Sequence, residues 1–283
     1  MRIVVCVKEV LDPDAVGAYA VAGGLVIGAD GKTLVQTTIP RGMNGYDEQA
    51  LEAALRLRDA GMDCVICVAT VAPDATTVTD ATAVLRHAAS LGADEVVAIE
   101  PPAAGADCQV VAALLAGYVR TCGGADLVLC GRQASDDDQG VVPALLGEML
   151  GMPVVTIARS VESAGTPGVP AVRVTRVTPD GDEVVETACP SVVTISSELG
   201  VPRYPTMPMR MAARRLKPAV VRADDLGLRS EDLVARVVPV RQFVPTIKGE
   251  CEFITGSAAE AADRLVGLLV AERVLQPRQR QET

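Results

Sequence analysis

Short, almost wholly apolar runs recur through the first half of the chain, at residues 3–7, 64–69, 95–99 and 126–130. They do not alternate apolar with polar positions, so they predict strands covered on both faces. Helical spacing fills the gaps near residues 46–60, 76–91 and 108–121. In the first of these, Ala50, Leu51, Ala54, Leu55 and Arg58 recur at helical intervals, with Asp47 and Glu48 in the opening turn. Apolar strands separated by helices are the pattern of a parallel sheet with crossover connections, which puts the chain in the α/β class.

The pattern is interrupted and then changes. A glycine-rich excursion, 17–42, comes after the first strand, and its middle, GLVIGADGKTLV, predicts a hairpin turning at Asp30-Gly31. After Gly151 the runs ARSVESAG, VRVTRVTPDGDEVVETA and PSVVTISS predict strands, with a tight turn at Asp180-Gly181, so antiparallel additions to the sheet are expected. From Gly200 prolines become frequent and periodicity fades. We therefore expect a domain over residues 1–199 and an extended arm over 200–283. The arm ends in a helix near 257–274 that aligns Ala258, Ala262, Leu265 and Leu269, a face suited to a partner chain. The tail QPRQRQET is expected to fray.

Composition narrows the function. Half the residues are apolar, but the only aromatics are two Phe and four Tyr, and the net charge is −10. Nucleic-acid binding needs a positive field and, for single strands, stacking platforms, so it is not expected. The opening MRIVVCVKEV does not read as a signal peptide, and no apolar run approaches the length of a bilayer span, so a cytoplasmic protein is expected. Eight cysteines are present, and Cys64 and Cys67 have CxxC spacing. With one histidine and no second CxxC, buried cytosolic thiols are the simpler reading than zinc or a redox dithiol, and no metal is expected.

Ligands of open α/β sheets bind beyond the carboxyl ends of the strands, which selects the chain after Val7, around Asn44, after Thr70 and after Cys130. The last is richest: Gly131 permits a tight exit, and QGVVPALLGEML predicts the next helix, whose entering amides suit a phosphate. Asp136, Asp137 and Asp138 leave two readings open. They form a solvated acidic cap for that helix, or they flank a nucleotide, with Asp136 or Asp138 accepting ribose hydroxyls. Pro143 lacks an N–H, so a phosphate cradle would use the amides of Gly140, Val141 and Val142, with the carboxylates turned away. There is no Ser-His-Asp set, GxxxxGK[ST] or GxGxxG, and His87 reads as a helix-surface residue, so no catalytic residues are assigned.

Six separated stretches resemble one family, the β subunits of electron-transfer flavoproteins. VVCVKEVLD is similar to their first strand and MNGYDEQALEAALRLR to their first helix, with Gly45 replacing the usual proline. VLRHAASLGADEVVAIE, LVLCGRQASDDDQGVVPALLGEMLG and VTRVTPDGDEVVETACPSVVT come next in order, and VPRYPTMPMRMAARRLK resembles the partner-recognition loop and basic helix. The resemblance implies a mostly parallel, Rossmann-like, adenine-nucleotide-binding sheet. It implies a heterodimer in which the α subunit holds FAD with help from β, while β binds AMP. By position, the cofactor contacts fall at Cys6, at Asn44, Gly45, Tyr46 and Asp47, at Val71, and at Gly131, Arg132, Gln133, Ala134, Ser135, Asp136, Asp137, Asp138, Gln139, Gly140, Val141 and Val142. Tyr204, Met207 and Met209 fall in the recognition loop, where Met207 is either an anchor inserted into a partner or loop core. The basic run from Arg210 to Lys217 reads equally as subunit contact or electrostatic steering. The implied function is an electron carrier rather than an enzyme, moving electrons from acyl-CoA or other flavin dehydrogenases to a quinone reductase or similar acceptor. Some members hold a second FAD in place of AMP and bifurcate electrons, and Pro143, Gly45 and Asp137 depart from the common pattern. A stand-alone adenine-nucleotide sensor is the rival from another class.

Overall fold

The first apolar run forms an interior strand of a nine-stranded sheet in the computed structural model, which describes residues 1–35, 38–73, 82–166, 168–244 and 253–275. In chain order the elements begin β1 (Arg2–Cys6), β2 (Glu9–Leu11), α1 (Pro13–Val21), β3 (Arg41–Met43), α2 (Gly45–Asp59) and β4 (Val65–Val71). They continue α3 (Thr82–Leu91), β5 (Glu95–Glu100), α4 (Cys108–Thr121), β6 (Leu127–Gly131), α5 (Val142–Leu150) and β7 (Val154–Ser163). Then come β8 (Ala171–Thr178), β9 (Gly181–Ala188), β10 (Ser191–Ile195), α6 (Met207–Ala213), β11 (Ala219–Arg222) and α7 (Ala258–Ala271).

The sheet order is β11-β5-β4-β1-β6-β10-β7-β8-β9. Pairing is parallel from β11 to β7 and antiparallel at β7–β8 and β8–β9. Strand side chains alternate between two covered faces, as a central parallel sheet requires. Ile3 and Val5 meet Leu51 and Leu55 of α2 and Leu85 of α3 on one face. Val4 and Cys6 meet Leu114 of α4 and Leu146 of α5 on the other. Cys64 packs on the first face and Cys67 on the second, so the CxxC spacing does not make a knuckle.

The α/β class holds, with two corrections. The run at 190–197 is not an antiparallel addition: its strand, β10, is inserted between β6 and β7 and is parallel to both. All five of its residues are buried, and only a strand covered on both faces accommodates that. The excursion after β1 contains the helix α1, missed because Gly17 and weak amphipathicity mask it. Its start was legible in Asp12-Pro13: the Asp12 carboxylate accepts the amides of Asp14 and Ala15, and Pro13 sits in the first turn. β2 and β3 bracket the excursion as an antiparallel pair. The hairpin inside it closes through an Ile27–Leu34 bridge, with Asp30 accepting the amides of Lys32 and Thr33. The first part of the helix expected over 76–91, and the tail after residue 275, lie outside the described residues.

The chain divides into two compact units, Met1–Phe243 and Val244–Thr283. In the first, β11 extends the sheet beside β5, Gln242 donates its amide to the Gly31 carbonyl, and Asp107 binds the amides of Arg236 and Val237. In the second, α7 is closed at its start by a capping box, Ser257 with Glu260. Among the described residues no helix is long and apolar enough to cross a membrane.

Candidate nucleotide-binding site

The ends of β1 and β6 are tied to the start of α2 by one buried carboxylate. Asp47 accepts the Lys8 amide on one oxygen, at 2.8 Å, and the Gly131 amide on the other, at 3.0 Å. Burial pushes this carboxyl up to about 7, against the downward pull of the two amides, Asn44 and the Lys8 charge. The approach requires glycine at 131, since a Cβ there would lie 2.3 Å from Asp47 Oδ1 and 2.8 Å from the Tyr46 backbone. Asn44, buried at the cap position of α2, does not cap that helix through its side chain. It donates to the Gln133 carbonyl at 2.8 Å and accepts the Ser135 amide at 3.2 Å, spanning the loop that leaves β6.

The loop then folds on itself. The Arg132 amide continues the ladder to Ile195, and the Arg132 guanidinium stands over the Tyr46 ring at 5.7 Å. Asp138, at φ 51°, donates its amide to the Ala134 carbonyl, and its carboxylate accepts from Gln133 Nε2. Lys8 Nζ bonds Asp136 at 2.7 Å and Asp137 at 3.2 Å, and Asp137 also takes the Gln139 amide. Desolvation works against the Lys8 charge, but the two carboxylates outweigh it and raise the ammonium above its ordinary range. Gly140 turns the chain at φ 62°, where a Cβ would meet the Arg132 carbonyl at 2.8 Å. Among the described residues the amides of Gly140, Val141 and Val142 have no hydrogen-bond acceptor. Pro143 falls in the first turn of α5, where no N–H is needed.

Cys6, Asn44 to Asp47 and Gly131 to Val142 thus gather at the carboxyl end of the sheet. Val71 ends β4 nearby, packed on the same apolar cluster as Cys6. Gly45 has open space around it. Two neighbours were not singled out from sequence. Lys8 carries a visible signal, a lone cation just past an apolar strand. Gln49 does not: among the described residues its buried Oε1 has no partner, and it lines a cavity of 490 Å³ with Asn44, Tyr46, Ser135, Arg41 and Ser197. His87 pairs with Glu48 at 2.7 Å, and among the described residues there is no cluster that could hold a metal ion.

The segment expected to recognise a partner is fixed at its root and exposed at its tip. Arg203 bonds Glu52 at 2.8 Å and Asp59 at 2.7 Å, while Arg56 bonds Glu52 and the Leu199 carbonyl. Burial alone would push the Glu52 carboxyl up, but the bonds from Arg203 and Arg56 win and hold it below its usual range. Immediately beyond, Tyr204 is 88 % exposed, Met207 66 % and Met209 39 %. Two methionines and a tyrosine facing water are unusual for loop core.

Residues 32–226, which include most of this doubly covered parallel sheet, match the electron transfer flavoprotein domain. The chain belongs to the electron transfer flavoprotein family, and within it to the β subunits. It is 32% identical over 280 residues to the caffeyl-CoA reductase-Etf complex subunit CarD of Acetobacterium woodii, covering 97% of this chain and all of that one. The β subunit of Thermoanaerobacterium thermosaccharolyticum is also 32% identical over 280 residues, with the same coverage. That of Megasphaera elsdenii is 30% identical over 292 residues, again with 97% and 100% covered. Membership implies electron transfer, flavin and pairing with an α subunit.

Proposed function

We propose that this chain holds an adenine nucleotide, AMP, on its 131–142 loop, helps an α subunit hold FAD, and works in the cytoplasm as an electron carrier without substrate-converting residues of its own. The observation that carries the reading is the loop's division of labour. All three aspartates are engaged by Lys8, Gln133 and the Gln139 amide, while among the described residues the amides of Gly140, Val141 and Val142 are unpaired at the entry to α5. Unpaired amides entering a helix attract phosphate, and carboxylates held elsewhere do not repel it. Tyr204, Met207 and Met209 would meet a flavin dehydrogenase donor, acyl-CoA-dependent or other, and a quinone reductase or similar acceptor would take the electrons. The test is co-expression with the α subunit, acid release, and chromatographic counting of flavin and nucleotide. One FAD and one AMP per heterodimer is expected, and a heterodimer with no adenine nucleotide beyond one FAD would refute the reading.

One observation favours a second reading, a second FAD in place of AMP. The 490 Å³ cavity touches Asn44, Gly45, Tyr46 and Ser135 but extends to Val10, Asp12, Pro13, Pro40 and Met43, and the Oε1 of Gln49, a lining residue, lacks a donor among the described residues. A ligand longer than a mononucleotide and bearing an N–H would use that space. Two FADs and no AMP in the same count would establish it.

A further inference from the structure

Two cysteines share one rung of the sheet at the mouth of the loop. Cys6 is the last residue of β1 and stands in register with Cys130, the penultimate residue of β6. Adjacent strands run about 4.7–4.9 Å apart, inside the Cα separation of about 4.4–6.8 Å that a disulfide spans. Both side chains project to the face covered by α4 and α5, both thiols are free, and the neighbouring Cys6 together with burial pushes the Cys130 thiol up. The other strand cysteines are placed differently. Cys64 and Cys67 lie on opposite faces, and Cys67 bonds the Tyr118 hydroxyl. The chain leaves β6 for the loop one residue after Cys130, at Gly131.

We propose that Cys6 and Cys130 are an oxidisable dithiol, closed to an intramolecular disulfide by a hydroperoxide. Cys6, 7 % exposed against 3 % for Cys130, is the thiol a small oxidant meets first. Its sulfur attacks the peroxide oxygen, the O–O bond breaks, and Cys6 becomes a sulfenic acid as water or alcohol leaves. The Cys130 sulfur then attacks the Cys6 sulfur, the S–O bond breaks and water departs with the Cys130 proton. Two thiols are oxidised by two electrons and one peroxide is reduced. The bond would restrain the ends of β1 and β6 directly beneath the 131–142 loop, whichever nucleotide is bound there.

The full chain, co-expressed with its α subunit, is treated with hydrogen peroxide, quenched with N-ethylmaleimide and mapped by peptide mass spectrometry. A linked pair of peptides joining Cys6 to Cys130, lighter by two hydrogens and separated by dithiothreitol, is expected. In Cys130→Ser, or in Cys130→Ala should serine impair folding, the link disappears and Cys6 is trapped by dimedone as its sulfenic acid. Recovery of both cysteines as alkylated thiols overturns the inference, and so does oxidation of Cys6 to sulfinic acid without linkage in the unsubstituted chain.

Discussion

Gly45 opens α2 at a place where its flexibility is not used: a Cβ would meet nothing within 4 Å, and Asn44 before it already has φ −53° and ψ 130°. Those angles suit a residue preceding proline, and the first helical turn favours one. Gly45→Pro should therefore stabilise the fold by about 0.5–1 kcal/mol, chiefly by narrowing the unfolded ensemble. Urea unfolding measures it, and a lower midpoint would show that the turn needs glycine. Asp47 makes a pH-dependent prediction. Its carboxyl sits near 7 in the fold against 3.8 when free, so between those values the folded chain keeps a proton that the unfolded chain has released. Stability from this residue is thus fully present below about pH 4, falls as pH rises, and is lost above 7, on the order of 4 kcal/mol in all. Asp47→Asn does not titrate and misplaces an NH2 against one of the two amides. The margin of the natural protein over it should shrink between pH 5 and 7 and then level. A constant margin would mean that the carboxylate is charged throughout.

The elements differ in how they were encoded. Runs such as 126–130 announced buried strands because a doubly covered strand needs apolar side chains on both faces. The position of β10 was invisible, since strand order is set by packing across the whole sheet and not by any local spacing. The loop after β6 was likewise legible as a place, while its bracing was not: Asn44, Asp47 and Lys8 reach it across gaps of 84 to 129 residues. The segment around Arg203 shows the same non-local bracing. Arg203 ties it to Glu52 and Asp59 on α2, so Tyr204 and Met207 project from a fixed base. Arg203→Ala removes the guanidinium and leaves the buried Glu52 carboxylate with Arg56 and the residue-203 amide, at an expected cost of about 2 kcal/mol. Amide exchange over residues 199–204 should quicken, and unchanged exchange there would mean that the Arg56 contacts suffice.

At the scale of the whole molecule, the sheet is complete once β11 has paired with β5, and the first compact unit closes at Phe243. The second unit contains a 14-residue helix, α7. Isolated helices of about 12–15 residues are marginal in water, so α7 owes its stability to something its apolar residues rest upon. Leu265, Leu268 and Leu269 give it one apolar stripe, and we propose that the α subunit is the surface it rests on. Ending the chain after Phe243 should leave thermal unfolding of the first unit nearly unchanged, because no strand of the sheet is removed. The same truncation should weaken association with the α subunit by about tenfold or more, read by co-purification and by titration of the separated subunits. Undiminished association would assign the contact to the first unit alone. A collapse in thermal stability would instead show that α7 belongs to this chain's own core.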